Sequence, residues 1–362
     1  MKRSLLATAC LAATLLFAGS FLPGTLSAQQ PPEIPFESAG DFLQLPEDIH
    51  FGEVAGVATT AEGNLWVHYR AGGPNATIGA SRHHPGGGAR LMEFDPTGTL
   101  LREIGAGEND RPYSFLFAQG VRVDPEGNFW TVDLASRVVA KFDASSGRVL
   151  MTLGRRIEAI GEVGSSAGSG VYGRGAGPGV GVPGDNFNQP TDVAWDAAGN
   201  IFVSDGYVNN RVAKFTSTGR FIKSWGGDGT EPGQFDKPHS IAVDAQGNVY
   251  VADMGNNRIQ VFDNDGTFKT QFTNVGAPRA ICISPGPNQF LYSSNSNPTE
   301  DPFLDGEIYK LQLDGTVVGR LGRAGKNFKE FGMVNGIDCR DPNTLYVAEL
   351  MNWRVQKLTL QN

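Results

Sequence analysis

Residues 192–205 read DVAWDAAGNIFVSD, and residues 240–253 read SIAVDAQGNVYVAD. In each stretch apolar residues alternate with polar or small ones, pass through a turn that contains Gly-Asn, and resume the alternation before an aspartate. Alternation with a period of two predicts strands with one buried face, and a Gly-Asn turn between two such strands predicts a β-hairpin. The two stretches therefore predict the same hairpin twice.

This hairpin pattern recurs six times. A third alternating run follows most hairpins, as at residues 212–216 and 259–263, and a fourth usually follows the third. Six repeats of four short antiparallel strands predict an all-β, six-bladed β-propeller that forms a single domain. The sixth repeat ends after three strands, so we expect the alternating run Asp41–Leu45 to supply the fourth strand and close the ring. The hairpins are Gly56–Arg70, Gly120–Asp133, Asp192–Asp205, Ser240–Asp253, Ala280–Asn295 and Gly336–Glu349.

The first 28 residues predict a secretory signal peptide. Lys2 and Arg3 precede an apolar run, residues 5–17, that is too short to span a bilayer, and small residues follow up to Ala28. We therefore expect an exported protein, periplasmic or secreted, in which residues 29–362 form the propeller without a membrane span. Removal of the leader leaves 28 basic and 38 acidic residues, a net charge of −10, which disfavours nucleic acid as a partner.

Two cysteines follow the leader, Cys282 and Cys339, in corresponding segments of neighbouring repeats. We expect two buried thiols, and a disulfide in an oxidising compartment is the alternative. Two insertions, Ala71–Ala89 and Gly161–Gly184, interrupt the repeats, and the glycine density of the second predicts a surface loop.

The geometry of a propeller predicts where a site would lie. First strands line the central channel, so the residue just before each first strand should contribute to a ring at one mouth of the channel. Because strands one and two are antiparallel, the ends of the second strands reach the same rim. The ring residues are Ala55, Gln119, Thr191, His239, Arg279 and Asn335. The second strands add His68, Arg70, Asp133, Asp205, Tyr207, Asp253 and Glu349.

The segments PTDVAWDAAGNIFVSDGYVNNRVAKF (residues 190–215) and PHSIAVDAQGNVYVADMGNNRIQVFD (residues 238–263) resemble NHL repeats. More specifically, they resemble the lyase domain of the peptidylglycine amidating enzymes, peptidyl-α-hydroxyglycine α-amidating lyase, over roughly Val54 to Leu358. The resemblance implies zinc-assisted cleavage of a carbinolamide C–N bond with release of glyoxylate.

In that family, zinc-binding histidines stand at alternate blades of the ring, and the matching residues here are Gln119, His239 and Asn335. Neutral amide oxygens are weak zinc donors, so we expect this set to hold zinc much more weakly than three histidines. The resemblance also implies catalytic roles for Arg70 and Tyr207. A second arginine of the family is replaced here by Met254.

Each of these residues also has a simpler interpretation. His239 is equally consistent with a polar channel residue, and Tyr207 with a tyrosine packed on a turn. An arginine in a glycine-rich turn at the mouth suits carboxylate capture, which favours a functional Arg70. His83 and His84 could fold over the mouth and replace lost ligands, although such pairs are more often solvated. The acids that end second strands are each followed by an arginine, which predicts structural ion pairs.

We therefore expect a non-catalytic propeller that binds a peptide or a small carboxylate at the mouth. The alternative is an active lyase with altered metal ligation, in which His239 would be the metal ligand. Zinc at the mouth, or calcium held by channel carbonyls, are the candidate cofactors. RNA binding is the least favoured function, because it conflicts with export and with the net charge. The ligand-binding candidates are Gln119, His239, Arg279 and Asn335, with Arg70 and Tyr207 as the catalytic candidates.

Overall fold

The computed structural model describes residues 31–71, 76–78, 82–84, 88–104, 115–155, 184–296 and 306–361. Six four-stranded antiparallel sheets form the blades of a β-propeller, as the repeat predicts. The blades are numbered 1 to 6 in chain order, and their first strands are Val54–Thr59, Ala118–Val123, Pro190–Trp195, Pro238–Val243, Pro278–Ile283 and Val334–Asp341. These first strands contact one another in sequence, and the sixth returns to the first, so they surround a central channel.

The strands in chain order are β1 (Phe36–Ala39), β2 (Val54–Thr59), β3 (Leu65–Arg70), β4 (Ala76–Ile78), β5 (Arg82–His84), β6 (Ala89–Phe94), β7 (Leu100–Ile104), β8 (Ala118–Val123), β9 (Phe129–Asp133), β10 (Val138–Phe142), β11 (Val149–Gly154), β12 (Pro190–Trp195), β13 (Ile201–Asp205) and β14 (Arg211–Phe215). The remaining strands are β15 (Phe221–Gly226), β16 (Pro238–Val243), β17 (Val249–Asp253), β18 (Arg258–Phe262), β19 (Phe268–Phe272), β20 (Pro278–Ile283), β21 (Leu291–Asn295), β22 (Ile308–Leu311), β23 (Val317–Leu321), β24 (Arg323–Ala324), β25 (Glu330–Phe331), β26 (Val334–Asp341), β27 (Thr344–Glu349) and β28 (Arg354–Leu360). In the described ranges the only helical turn is the 3-10 turn Met254–Asn256, and no helix there is long and apolar enough to cross a membrane.

The recurrent Gly-Asn turn is stabilised by an aspartate that directly follows the first strand. In blade 4, Asp244 Oδ1 accepts the backbone N–H groups of Gln246 and Asn248 at 2.9 and 2.8 Å. Gly247 between them has φ +84°, a conformation that glycine adopts at little cost. The same arrangement recurs around Asp124 and Asp196, so the hairpin repeats because its turn chemistry repeats.

The ring is closed by an N-terminal strand, but not by the one that the sequence pattern favours. Strand β1 pairs antiparallel with β28, with Phe36 opposite Leu360. Phe36 is buried and stacks on Phe331, with ring centroids 6.4 Å apart. The prediction of Asp41–Leu45 as the closing strand is therefore wrong. Gln44 forms an isolated bridge to Thr99 in blade 1 instead, because the free edge of β28 is already paired with residues 36–39.

Among the described residues, the hydrophobic core consists of six clusters, one between each pair of neighbouring blades. Trp66 lies between blades 1 and 2, Trp130 between blades 2 and 3, and Phe202 between blades 3 and 4, which confirms the prediction that they are core residues. Apolar side chains on both faces of each sheet therefore serve to hold the blades together.

In blades 2, 3, 4 and 6, the acid that ends the second strand accepts hydrogen bonds from the backbone just before the blade. Asp253 accepts the backbone N–H of Asp236 at 2.8 Å and pairs with Arg258 at 2.7 Å. Asp205 and Glu349 repeat this arrangement with Arg211 and Arg354, at 3.0 and 2.8 Å. Asp133 accepts the backbone N–H groups of residues 116, 117 and 136. These contacts confirm the prediction of structural pairs in blades 3, 4 and 6.

Cys282 and Cys339 form a disulfide, so the expectation of two buried thiols is wrong. The bond joins β20 to β26, and the two Cα atoms are 6.0 Å apart. First strands of neighbouring blades lie side by side at the channel, which brings cysteines at corresponding positions within bonding distance. The predicted surface loop Gly161–Gly184 lies almost entirely outside the described residues.

Candidate functional site

The six ring residues share one backbone feature. Each is the second residue of its first strand, at a point where the register with the second strand shifts. They therefore lie inside the first strands. The sequence pattern placed them just before these strands, and that part of the prediction is wrong. Such bulges leave a residue outside the ladder and redirect its side chain, which is how six repeats present side chains to one channel mouth.

His239 and Gln119 meet across this mouth. The Nδ1 atom of His239 lies 2.7 Å from the carbonyl oxygen of Arg279, so Nδ1 carries the proton. The Nε2 atom is then an acceptor, and it lies 2.9 Å from the amide nitrogen of Gln119. Burial lowers the pKa of His239 well below its usual value, and the charges of Arg279 and Arg70 lower it further. His239 is therefore neutral near pH 7.

Arg279 is the buried cation of the mouth, with 6% of its surface exposed. Its Nε donates to the side-chain oxygen of Asn335 at 2.7 Å, and one terminal nitrogen donates to the Tyr207 hydroxyl at 3.2 Å. The other terminal nitrogen lies 3.6 Å from the sulfur of Met254. The amide of Asn335 donates to the carbonyls of Ala55 and Gln119 at 2.6 and 3.0 Å.

Arg70 reaches the same site from the second strand of blade 1. Its guanidinium donates to the carbonyl of Ala118 at 3.0 Å and to the side-chain oxygen of Gln119 at 3.3 Å. It also pairs with Glu53 at 2.6 Å and stacks over the ring of Phe117, 3.8 Å from the centroid. Arg70 thus carries a carboxylate partner already, whereas Arg279 has none among the described residues.

The structure brings all six candidate residues into one network. Arg70 contacts Gln119, Gln119 contacts His239, and the His239 ring lies edge-on to Tyr207, with centroids 5.8 Å apart. Arg279 then links His239, Tyr207 and Asn335. The repeat therefore grouped six residues whose side chains lie together in the structure, and their roles in binding or catalysis stay predictions. The side chains of His83 and His84 lie outside the described part of the chain, so their proposed coverage of the mouth stays a prediction.

Two features of the site were not predicted from the sequence. The guanidinium of Arg279 lies against Met254, the position where the family's second arginine is missing, so blade 5 supplies a cation that blade 4 lacks. Below the ring, the side chain of Arg122 lines the same narrow cavity as Gln119 and His239, together with Asp192 and Ser240. The sequence does mark Arg122, because it is the only cation at its position in the six first strands.

Comparison with known proteins agrees with this architecture. The NHL repeat family model matches residues 187–215 and 235–262. The peptidyl-glycine alpha-amidating monooxygenase of Mus musculus is 30% identical over 92% of this chain, which spans about a third (34%) of that protein. Peptidyl-alpha-hydroxyglycine alpha-amidating lyase 1 of Drosophila melanogaster is 28% identical over 67% of this chain and 44% of its own length.

A solved structure shares the fold. The gluconolactonase from Xanthomonas campestris aligns with a TM-score of 0.55 at 16% identity, over 92% of this chain and 95% of that one. At this identity the likeness concerns the fold alone. Together with the six sheets and the repeat match, the sequence relatives identify the chain as an NHL-repeat β-propeller that resembles the peptidyl-α-hydroxyglycine α-amidating lyases over most of its length.

Proposed function

We propose that the channel mouth binds the carboxylate of a peptide or of a small anionic ligand. The observation that carries this proposal is Arg279, a buried guanidinium whose described partners are an amide oxygen, a hydroxyl and a sulfur. A buried charge is costly unless an opposite charge accompanies it. A ligand carboxylate at the mouth would supply that charge, with the Tyr207 hydroxyl and the ring amides as further hydrogen-bonding groups.

The same residues fit zinc poorly. Only His239 offers a nitrogen donor, and the side-chain oxygen of Asn335 already accepts from Arg279. A guanidinium held within the donor set repels a divalent cation, and amide oxygens are weak zinc ligands. Within the described ranges, no group of three or more His, Cys, Asp or Glu residues is placed to hold a metal ion. The proposed binding therefore relies on arginine rather than on a metal.

The test compares a peptide that ends in a free carboxylate with the same peptide ending in an amide. At a ligand concentration of 100 times the dissociation constant, binding should raise the melting temperature by about 4 °C for a chain of this size. The free-acid peptide should produce this shift and the amide should not. Arg279→Met should weaken binding by roughly 10- to 100-fold, as expected for loss of a charged hydrogen bond.

Arg323→Met is the matched control, because Arg323 is an arginine with 76% of its side chain exposed, outside the mouth. It should bind the free-acid peptide as the wild type does. The melting temperature of unliganded Arg279→Met establishes that the variant is folded. Equal affinity for the two peptides, or unchanged affinity in folded Arg279→Met, would refute the proposal.

The second candidate function is lyase activity of the kind named for the Drosophila relative. It is favoured by the placement of Tyr207, whose hydroxyl is bonded to Arg279 beside neutral His239. Cleavage of an α-hydroxyglycine breaks the C–N bond, converts the carbinol carbon to the aldehyde of glyoxylate, and moves the hydroxyl proton to the departing amide nitrogen. Tyr207 would relay that proton. Glyoxylate release that is absent in Tyr207→Phe but retained in Arg323→Met would establish this activity.

We also propose that the protein is exported. The leader pattern of residues 1–28 supports this, and so does the Cys282–Cys339 disulfide, because structural disulfides belong to oxidising compartments. The mass of the protein recovered outside the cytoplasm should correspond to a chain that begins after Ala28. A cytoplasmic protein with the leader intact would contradict export without affecting the ligand-binding proposal.

A further inference from the structure

The centre of the channel, below the ring of the mouth, is crossed by the side chain of Arg122. Its Nε and one terminal nitrogen bind both carboxylate oxygens of Asp192, at 2.9 and 2.5 Å. The same terminal nitrogen lies 3.2 Å from the hydroxyl of Ser240 and from the carbonyl of Ile281, and the other lies 3.2 Å from the carbonyl of Ile337. One side chain of blade 2 is thus hydrogen-bonded to blades 3, 4, 5 and 6.

The first strands of blades 6, 1 and 2 pack closely against one another at the channel. A Cβ atom on Gly56 would lie 2.6 Å from the backbone nitrogen of Val121, so the first strands of blades 1 and 2 touch there through glycine. Gly336 approaches Gly56 in the same way, with its Cβ position 3.1 Å from the Gly56 Cα. The space that Arg122 fills lies toward blades 3 to 6, where the position equivalent to Arg122 is alanine in blades 3 and 4 (Ala194 and Ala242).

The charge of Arg122 is retained in this interior position. Burial alone would lower its pKa, but the charge and the hydrogen bonds of Asp192, with a smaller contribution from Asp338, leave the pKa raised. The partners of the guanidinium are a carboxylate, a hydroxyl and two backbone carbonyls. These are the oxygen groups that bind Ca²⁺ in proteins, and they come from separate blades.

We propose that Arg122 is the resident cation of the channel, occupying the place where a divalent cation would otherwise neutralise Asp192 and the inward carbonyls. The five-blade network then holds the first strands together, and with them the ring of the mouth, without a channel metal. This disagrees with calcium as a cofactor of the channel, because the oxygens that would ligate calcium already accept hydrogen bonds from the guanidinium. The inference does not depend on the ligand of the mouth.

The test is calcium dependence of thermal stability in the wild type, Arg122→Ala, Arg258→Ala and the double variant Arg122→Ala/Asp192→Asn. Arg258 is the matched control, because it is an arginine paired with a buried aspartate, Asp253, away from the channel; its side chain is 6% exposed, against 18% for Arg122. Loss of either arginine should lower the melting temperature by roughly 4–7 °C, as expected for an uncompensated buried carboxylate. The double variant should lose less, because its buried charge is removed.

Calcium distinguishes the variants. We expect addition of calcium at ten times its dissociation constant to raise the melting temperature of Arg122→Ala by about 2 °C. The wild type, Arg258→Ala and the double variant should not respond to calcium or to a chelator. A wild type that loses stability in chelator, or an Arg122→Ala protein that responds no more than Arg258→Ala does, would overturn the proposal.

If Arg122→Ala fails to fold in calcium-free buffer, its refolding yield replaces the melting temperature as the measurement. The yield should rise with calcium, and should not rise with calcium for Arg122→Lys, which retains a cation. Equal yields of Arg122→Ala with and without calcium would overturn the proposal in that case.

Discussion

His68 should make the propeller lose stability in mild acid. It lies on β3, fully buried between blades 1 and 2, with its ring edge-on to Phe115. Its Nδ1 lies 3.1 Å from the carbonyl oxygen of Gly120, so that nitrogen carries the proton, while Nε2 is buried without a partner in the described structure. Burial lowers the pKa of His68 to about 4, opposed by the hydrogen bond to Gly120 and assisted by the charge of Arg70.

The lowered pKa of His68 determines how stability changes with pH. A histidine whose pKa is lower in the folded state binds its proton more readily when unfolded, so its contribution to stability is present above pH 6.5 and is lost as the pH falls toward 4. At pH 5 the loss from His68 is about 2 kcal/mol. In His68→Asn, which keeps an N–H group near Gly120, the decrease in unfolding free energy from pH 7.5 to pH 5 should be smaller by this amount.

Urea unfolding monitored by tryptophan fluorescence at the two pH values measures this difference. Comparing the change with pH, rather than the absolute stability, removes the constant cost of the cavity that asparagine leaves. His50→Gln is the matched control, because His50 is exposed and should leave the pH dependence as in the wild type. If His68→Asn and the wild type lose the same free energy between pH 7.5 and pH 5, His68 is protonated in the fold and the reasoning is wrong.

Two further predictions concern how the ring is held closed. Replacing Cys282 and Cys339 with serine should lower the unfolding free energy by about 4 kcal/mol, since the bond closes a loop with a sequence separation of 57. Urea unfolding measures this difference. If the serine variant is still less stable than the wild type when the wild-type disulfide is reduced, the loss comes from packing and not from the bond. Phe36→Ala should cost about 3–5 kcal/mol because the ring is buried on the closing strand, whereas the control Leu101→Ala, 51% exposed on β7, should change stability by less than about 0.5 kcal/mol. Equal effects of the last two would show that β1 does not close the ring.

The sequence predicted the blades and the ring of the mouth because both follow from local rules. Strand alternation and the aspartate–glycine turn act within a few residues, and the sixfold repeat converts them into a closed architecture. The closing strand was misassigned because Asp41–Leu45 alternates and Phe36–Ala39 (FESA) does not, whereas the ladder with β28 and the contact of Phe36 with Phe331 select Phe36–Ala39. That contact joins residues at opposite ends of the chain.

The disulfide and the channel arginine were missed for a related reason. Both depend on how neighbouring first strands are placed around the channel, which determines the Cα separation of Cys282 and Cys339 and the oxygens within reach of Arg122. A repeat pattern gives corresponding positions but not the distances between them. Likewise, Arg279 could be placed in the ring from the sequence, but its contact with Met254 required the side-chain direction.

The register shift at each ring residue allows the side chain to differ from blade to blade while the backbone of the blade stays the same. Residues such as Ala55, His239 and Arg279 stand at the same register shift in their own blades, so one backbone arrangement carries side chains as different as alanine, histidine and arginine. The repeat can therefore accept alanine in one blade and arginine in another with the same backbone. Chemistry at this mouth depends on six side chains that differ from blade to blade while the strand arrangement stays the same, so similarity over the whole chain conveys the architecture more securely than it conveys the reaction.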